Sequence, residues 1–423
     1  MFKFREYQIE IALRGVKILR QYGILYLSME VRTGKTLTAM NIAEGYSAAK
    51  VLFCTKKKAI GSIMADYTAA GFNFALTATN YESIHKVEDV ASYDLIICDE
   101  AHCLGAFPKP SIRTEELKKI VRDRPVIFLS GTPTPESWSQ IYHQFYISMR
   151  SPFQERNFYS WAKQYTKPKK RYFYNREMPD YSVAIIPMIR EKCDHLFISF
   201  TQSEAGFTEL VDEEIMVVKM AQQTYDLIDK LNKDRVIVGK DGDQVIADTA
   251  SKLMQKIHQM FSGTVIVDNL EKAFKIFDLS KVAAIRSRFI GKKIAIFYKF
   301  VAEGHILRDA FGTRIVETPE EFNLGGVDTI YISQVQSGRE GINLSTADAL
   351  VMYNIDFSAV SYWQSRARMQ SKDRTRAAKV YWVMAADGIE HKIYERVMNK
   401  KDYTLEHFRK DFNISTRMVE QSQ

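Results

Sequence analysis

The chain has 423 residues, of which 46% are hydrophobic and 26% are charged, and its formal net charge is +8. This composition excludes collagen-like and disordered chains and allows two or three domains with their own cores. The excess of basic residues suits a polyanionic partner. Four scattered cysteines form no CxxC pair, so the sequence excludes a disulfide framework and predicts a reducing, cytoplasmic setting.

The amino-terminal segment, MFKFREYQIEIALRG, contains acidic residues and lacks the apolar core of a signal peptide. No apolar run in the chain is long enough to span a bilayer. We therefore expect a soluble protein with no membrane partner.

Apolar strands and amphipathic segments alternate in two parts of the chain. ILYLS, VLFCT, DLIICD and VIFLS follow one another in the first part, and KIAIFYKF, DTIYISQ and KVYWVMA follow in the last. Such alternation is typical of βαβ units with parallel sheets. The sequence predicts an α/β fold with two parallel-sheet domains, at 1–150 and 279–423, and a mainly helical region between them at 151–278.

The segment VRTGKT at 31–36 lies between a predicted strand and a predicted helix. Backbone N–H groups and the ammonium of Lys35 can hold the phosphates of a nucleoside triphosphate, and the hydroxyl of Thr36 can ligate Mg²⁺. The predicted cofactors are therefore ATP and Mg²⁺. The rest of the phosphate-binding loop consists of Arg32, Thr33 and Gly34, and Met29 stands where such loops usually have another glycine.

The segment DLIICDEAH at 94–102 places two carboxylates at the end of a predicted strand. The carboxyl ends of parallel strands are where such sheets bind their ligands. Asp99 is predicted to hold Mg²⁺, and Glu100 to orient and deprotonate the attacking water. We expect His102 to couple this pair to the next motif, SGTP at 130–133, which also follows an apolar strand.

A basic stretch in the middle of the chain, KPKKRYFYNR at 167–176, has five basic residues, three aromatic residues and no acidic residue. This combination is typical of contacts with a nucleic-acid backbone and its bases. The alternative is a solvated loop whose aromatic side chains pack locally.

Taken together, the triphosphate loop, the DEAH segment and the arginines near the carboxyl terminus resemble helicase superfamily two. The match is closest to the Snf-type branch of remodeller-like translocases on double-stranded DNA. The resemblance implies two RecA-like domains, ATP bound between them, and movement along duplex DNA driven by ATP hydrolysis. Compact members of this kind occur in bacteriophages and bacteria, which implies the cytoplasm of a bacterial host.

The family resemblance also assigns roles in the first domain. REYQ at 5–8 resembles the motif that reads adenine, in which Gln8 would pair with the base and Tyr7 would stack. VLFCTKKKAI at 51–60 and TNYESI at 79–84 resemble segments that touch the DNA backbone. The contacts implied there are Thr55, Lys56, Asn80 and Tyr81.

In the second domain, QVQSGREGINLSTADALVMYNIDFS at 334–358 resembles the coupling motif, with Ser337 on DNA and Gly341 on the nucleotide. SYWQSRARMQSKDRTRAAKVYWVMAADGIEHKIYERV at 361–397 resembles the last motif of the family together with the strand and helix after it. An arginine of that motif stabilises the transferred phosphoryl group. Arg368 is the first choice for this arginine finger, and Arg366 the second. The family's other arginine falls on Ser371, which leaves open a DNA-binding clamp with a vestigial ATPase. An RNA helicase also stays open.

Overall fold

A computed structural model gives the fold. The chain divides into two compact units, Met1–Thr208 and Glu209–Gln423. Residues that the structure describes are 3–173, 176–206, 211–239, 241–269, 273–335, 344, 346–358, 361–362 and 378–398.

Helices and strands alternate through most of the described chain. The helices are α1 (Glu6–Tyr22), α2 (Lys35–Tyr46), α3 (Ile60–Ala70), α4 (Ile112–Val121), α5 (Ile141–Tyr146), α6 (Phe158–Tyr165), α7 (Ile186–Cys193), α8 (Gln222–Asp234), α9 (Ala250–Met260), α10 (Ser280–Arg288), α11 (Val301–Phe311), α12 (Pro319–Leu324) and α13 (Ile389–Met398). The strands of the first unit are β1 (Ile24–Met29), β2 (Lys50–Thr55), β3 (Ala75–Asn80), β4 (Leu95–Cys98), β5 (Val126–Leu129), β6 (Lys169–Phe173), β7 (Arg176–Asp180) and β8 (Phe197–Phe200). Those of the second unit are β9 (Val211–Val218), β10 (Val236–Val238), β11 (Gln244–Ile246), β12 (Thr264–Ile266), β13 (Phe274–Ile276), β14 (Ile294–Tyr298), β15 (Ile315–Val316), β16 (Ile330–Gln334), β17 (Ala349–Met352) and β18 (Ala378–Ala385).

The first unit is built on a parallel sheet of six strands in the order β3-β2-β4-β5-β1-β8. Its central strands, β4 and β5, are continuous apolar runs that are buried along their whole length, as a sheet covered on both faces requires. Helix α1 lies close against α2 because Gly15 has no side chain. A Cβ atom there would lie 2.6 Å from Cδ1 of Ile42.

The second unit has its own parallel sheet of six strands, in the order β15-β16-β14-β17-β18-β9. Apolar residues of its strands and of α9, α10, α11 and α13 form a separate core. The predicted fold class, α/β with two parallel-sheet domains, is therefore confirmed.

The middle region differs from its predicted, mainly helical form. Its strands β8 and β9 are edge strands of the first and second sheets, and it also contains three antiparallel pairs, β6–β7, β10–β11 and β12–β13. Residues 151–278 are thus shared between the two compact units instead of forming a third. The difference has a physical reason for every strand here except the eight-residue β9, because strands of three to five residues carry little periodic signal in a sequence.

Within the described ranges, no helix combines the length and the apolar character needed to cross a membrane.

A buried ion pair joins α10 to α13 in the second unit. Nζ of Lys281 lies 2.6 Å from Oε1 of Glu390, and the two side chains are 0% and 1% exposed. The other carboxylate oxygen of Glu390, Oε2, is buried without a hydrogen-bond partner. Removing one member of such a pair leaves an uncompensated charge in the core.

We expect Lys281→Met to lower the free energy of unfolding of the second unit by about 3–5 kcal/mol, because Glu390 is then buried without its partner. Adding Glu390→Leu should recover most of this loss. Hydrogen exchange of the amides in α13 measures the effect. The matched control is Lys252→Met, which breaks a surface pair with Asp248 and should cost less than about 1 kcal/mol. Equal losses in the two single variants would contradict the prediction.

Candidate active site

The loop that follows β1 leads directly into the amino terminus of α2. Gly34 is the residue before the helix and has φ of +80°, which glycine adopts without strain. Arg32 also has a positive φ, +62°, which is uncommon for a residue with a side chain. Met29 is the last residue of β1 and fully buried, so this departure from the glycine-rich pattern lies in the strand. The amino terminus of a helix favours bound anions, as the predicted phosphate site requires.

Two residues of the REYQ segment support this loop. The side-chain amide of Gln8 donates to the carbonyl of Gly34 at 3.2 Å, and its Oε1 accepts from the backbone N–H of Arg5 at 3.1 Å. The Tyr7 hydroxyl donates to the carbonyl of Thr33 at 3.0 Å. Gln8 is 4% exposed. The structure thus brings both residues to the loop backbone, and their contact with adenine stays a prediction.

Lys35 and Glu100 meet at the carboxyl edge of the first sheet. Nζ of Lys35 lies 3.3 Å from Oε1 of Glu100, and each side chain is 14% exposed. Glu100 is the second residue after β4, and its φ of +50° is a left-handed conformation. Burial raises the pKa of Glu100, but Lys35, His102 and Lys56 outweigh burial and lower the pKa to about 2. Its carboxylate is therefore ionised and can accept a proton from a neighbouring group only weakly in the ground state.

His102 lies between Glu100 and the SGTP segment, and its coupling role stays a prediction. Its Nδ1 lies 3.3 Å from Oε2 of Glu100 and 3.1 Å from Oγ of Ser130. Ser130 Oγ also accepts from the N–H of Thr132 at 3.1 Å. A continuous chain of polar contacts thus runs from the carboxylate to the loop after β5.

Asp99 is buried next to Glu100 and is held in place from two sides. Thr55 Oγ1 donates to its Oδ2 at 2.9 Å, and the hydroxyl of Tyr81 donates to its backbone carbonyl at 2.6 Å. Burial raises the pKa of Asp99, while the charge of Lys35 acts in the opposite direction. Its second carboxylate oxygen, Oδ1, is buried without a hydrogen-bond partner.

An unpaired carboxylate oxygen fits a cation ligand. Mg²⁺ is usually held by one or two carboxylates together with phosphate oxygens and water, so Asp99 and the hydroxyl of Thr36 form a suitable protein share of such a site. The described residues contain no group of three or more His, Cys, Asp or Glu side chains that could hold a metal ion by themselves. The donor set therefore fits Mg²⁺ bound together with a nucleotide.

Two of the predicted nucleic-acid contacts need correction. Thr55 is 0% exposed and Tyr81 is 2% exposed, and the hydroxyl group of each donates a hydrogen bond to Asp99. Neither side chain is accessible to a nucleic acid, and both position the metal-binding candidate. Lys56 and Asn80 are partly exposed, and their predicted contact with nucleic acid stays a prediction.

The sequence did not indicate that the segment after β8 supports the phosphate-binding loop. The side-chain amide of Gln202 donates to the carbonyl of Val31 at 2.9 Å, and its backbone N–H donates to Oε2 of Glu30 at 2.8 Å. Gln202 and Val31 are 171 residues apart in the chain. A contact over such a separation leaves no local pattern in the sequence.

The remaining predicted site residues lie outside the described residues. They are Ser337, Gly341, Arg366 and Arg368.

Comparisons with known proteins give local and distant similarity. No protein-family model matches the chain. The lymphoid-specific helicase of Homo sapiens is 31% identical over 80 residues, which are 19% of this chain and 10% of that protein. A solved structure, the SWI2/SNF2 ATPase core domain of Sulfolobus solfataricus, aligns with 100% of this chain and 95% of its own at a TM-score of 0.42 and 14% identity. The chain therefore matches only about a tenth of the length of the human helicase.

Tyr81→Phe removes the hydroxyl that donates to the buried carbonyl of Asp99. We expect the free energy of unfolding to fall by about 1–3 kcal/mol, because that oxygen loses its partner. Affinity for duplex DNA should not change, because the ring is buried. Urea denaturation and fluorescence anisotropy measure the two quantities.

The matched variant is Lys57→Gln, which alters an exposed side chain in the segment predicted to contact DNA. It should leave the free energy of unfolding within about 0.5 kcal/mol of the unaltered protein. Loss of DNA affinity in Tyr81→Phe at unchanged stability would contradict the buried, positioning role.

Proposed function

We propose that the chain is an ATP-driven translocase on duplex DNA, belonging to the Snf-type branch of helicase superfamily two. One observation carries the proposal: Lys35, Asp99 and Glu100 meet at the carboxyl edge of a parallel sheet. A cation for phosphates and two carboxylates, for metal and for water, are the groups that phosphoryl transfer to water requires.

In this function, Lys35 and the amino terminus of α2 hold the phosphates of ATP, and Thr36 and Asp99 hold Mg²⁺. The metal supplies charge neutralisation on the phosphate oxygens. Lys35 stands beside Glu100, so a bound phosphate would share this ammonium with the carboxylate. Glu100, which the neighbouring cations keep ionised, is placed to orient a water molecule and to accept its proton as attack proceeds.

The path from Glu100 through His102 to Ser130 supports coupling of hydrolysis to movement. A change at the carboxylate alters the hydrogen bond of His102 with the loop after β5. That loop continues into the segment from Thr134 to Gln140, where Ser137 and Gln140 form a reciprocal capping box.

Nucleic acid is the proposed partner on three grounds. The motifs resemble those of DNA translocases, an 80-residue stretch is similar to a helicase, and the chain has a net charge of +8. Duplex DNA is proposed before RNA because the resemblance is closest to the Snf-type branch. The arginine finger is proposed to be Arg368 or Arg366.

Lys35→Ala and Glu100→Gln should each lower kcat for ATP hydrolysis by at least about 100-fold, because one removes the phosphate cation and the other the base. Steady-state phosphate release in the presence of duplex DNA measures the rate. Lys119→Gln, an exposed change on α4, should keep the rate of the unaltered protein. Full activity in Glu100→Gln would refute the assignment of the base.

The substrate is tested by measuring ATP hydrolysis with single-stranded DNA, duplex DNA and RNA, together with strand displacement on forked duplexes. Stimulation by duplex DNA without displacement is the result expected for a translocase. Stimulation by RNA alone would make the protein an RNA helicase. A negligible rate that no nucleic acid changes would favour the clamp that Ser371 suggests.

A further inference from the structure

The basic stretch of the sequence forms an antiparallel hairpin in the first unit. Strand β6 pairs with β7 in a register that opposes Lys169 to Asp180 and Lys170 to Pro179. The pairing continues below the hairpin, where Thr166 bridges to Ala184. The ladder therefore reaches from the hairpin to the ends of α6 and α7, and Lys169–Phe173 and Arg176 of the basic stretch lie in paired strands.

The described residues near the base of this hairpin are exposed on both faces. Successive residues of a strand point to opposite faces, and Lys169 and Lys170 are both exposed. On the partner strand, Met178 is 53% exposed and Pro179 is also exposed. An isolated two-stranded hairpin is marginally stable in water, so a partner that covers these exposed residues would stabilise it.

The base of the hairpin, in contrast, is fixed. The hydroxyl of Ser137 donates to the carbonyl of Ser182 at 2.6 Å, and the hydroxyl of Ser139 donates to the carbonyl of Tyr181 at 2.5 Å. Both serines are buried. The ring of Tyr181 packs edge-on against Phe158, with centroids 5.4 Å apart. An exposed ribbon thus stands on a rigid base.

This base belongs to the segment that follows the SGTP motif. Ser137 is five residues beyond Thr132, and the N–H of Thr132 donates a hydrogen bond to Oγ of Ser130. Pro133 is held as well, because its carbonyl accepts from the side-chain amide of Gln144 at 2.8 Å. The hairpin is therefore attached to the part of the first unit that contacts His102 and, through it, Glu100.

We propose that the β6–β7 hairpin is a duplex-DNA-binding arm, in which Lys167, Lys169 and Lys170 contact the phosphate backbone. The inference rests on the proposed function and names an element of it. Residues 167–180, which include both strands, have five basic residues and two acidic residues, Glu177 and Asp180, and this net positive charge complements a polyanion. The major groove of B-DNA, about 12 Å wide, admits a two-stranded ribbon.

The test is the triple variant Lys167→Gln, Lys169→Gln and Lys170→Gln in the full chain. Binding of a blunt-ended duplex is measured by fluorescence anisotropy over a range of salt concentrations. Each lost phosphate contact should reduce the slope of log affinity against log salt by about 0.9, and affinity should fall at least about tenfold. The matched control removes three exposed lysines elsewhere in the unit, by Lys17→Gln, Lys119→Gln and Lys192→Gln.

The outcomes separate the arm from the proposed function. An equal slope and affinity in the triple variant and the control would overturn the arm while the proposed function stands. An unaltered protein that neither binds duplex DNA nor hydrolyses ATP would overturn both. A loss of affinity that is confined to RNA or to single strands would also overturn the duplex assignment.

A second measurement needs no substitution. Hydrogen exchange of the unaltered protein should slow across 167–184 when duplex DNA is added, because the bound backbone covers an otherwise exposed ribbon. Unchanged exchange there, at a DNA concentration that saturates binding, would overturn the proposal.

Discussion

The ion pair of Lys35 with Glu100 joins residues that are 65 positions apart, and the geometry of the site depends on it. A parallel sheet makes this contact possible. Strands β4, β5 and β1 are neighbours, so the DEAH, SGTP and triphosphate-loop motifs follow three adjacent strands at the same edge. The order along the chain is different, but the shared direction of the strands places all three motifs together. The ammonium group of Lys35 therefore lies near the carboxylates of Asp99 and Glu100, which come from another part of the chain.

Adjacent carboxylates in the site have opposite electrostatic environments. The pKa of Asp99 is raised because burial dominates, whereas that of Glu100 falls to about 2 because Lys35, His102 and Lys56 outweigh burial. The two side chains have different neighbours, since Glu100 faces Lys35 and His102, whereas Asp99 accepts from Thr55. Two carboxylates with such different environments can take different roles. Asp99 is suited to bind a metal ion, and Glu100 to accept a proton from water.

Sequence patterns predicted the features that have a local signal. These features include the two parallel sheets and the apolar strands that precede Lys35 and Asp99. A strand that is buried on both faces needs a continuous apolar run, which is visible in the sequence. Strand β9 was missed because an edge strand with the sequence VDEEIMVV is partly solvated and has no such run. The roles of Thr55 and Tyr81 were assigned to nucleic acid because a motif gives the position of a residue in the chain and not the direction of its side chain. The structure supplies that direction, because both side chains are buried and donate hydrogen bonds to Asp99.

The support of the phosphate-binding loop explains how its backbone can hold an uncommon conformation. A left-handed residue with a side chain, such as Arg32, persists where its surroundings determine the backbone on several sides. Gln8 and Tyr7 bond the loop from α1, and Gln202 bonds it from the segment after β8. Tyr7 and Gln8 are neighbours in α1, whereas Gln202 lies far from them in the chain. Local backbone strain near the site is thus balanced by hydrogen bonds from elements that the phosphate motif does not include, and the loop motif alone does not specify the site.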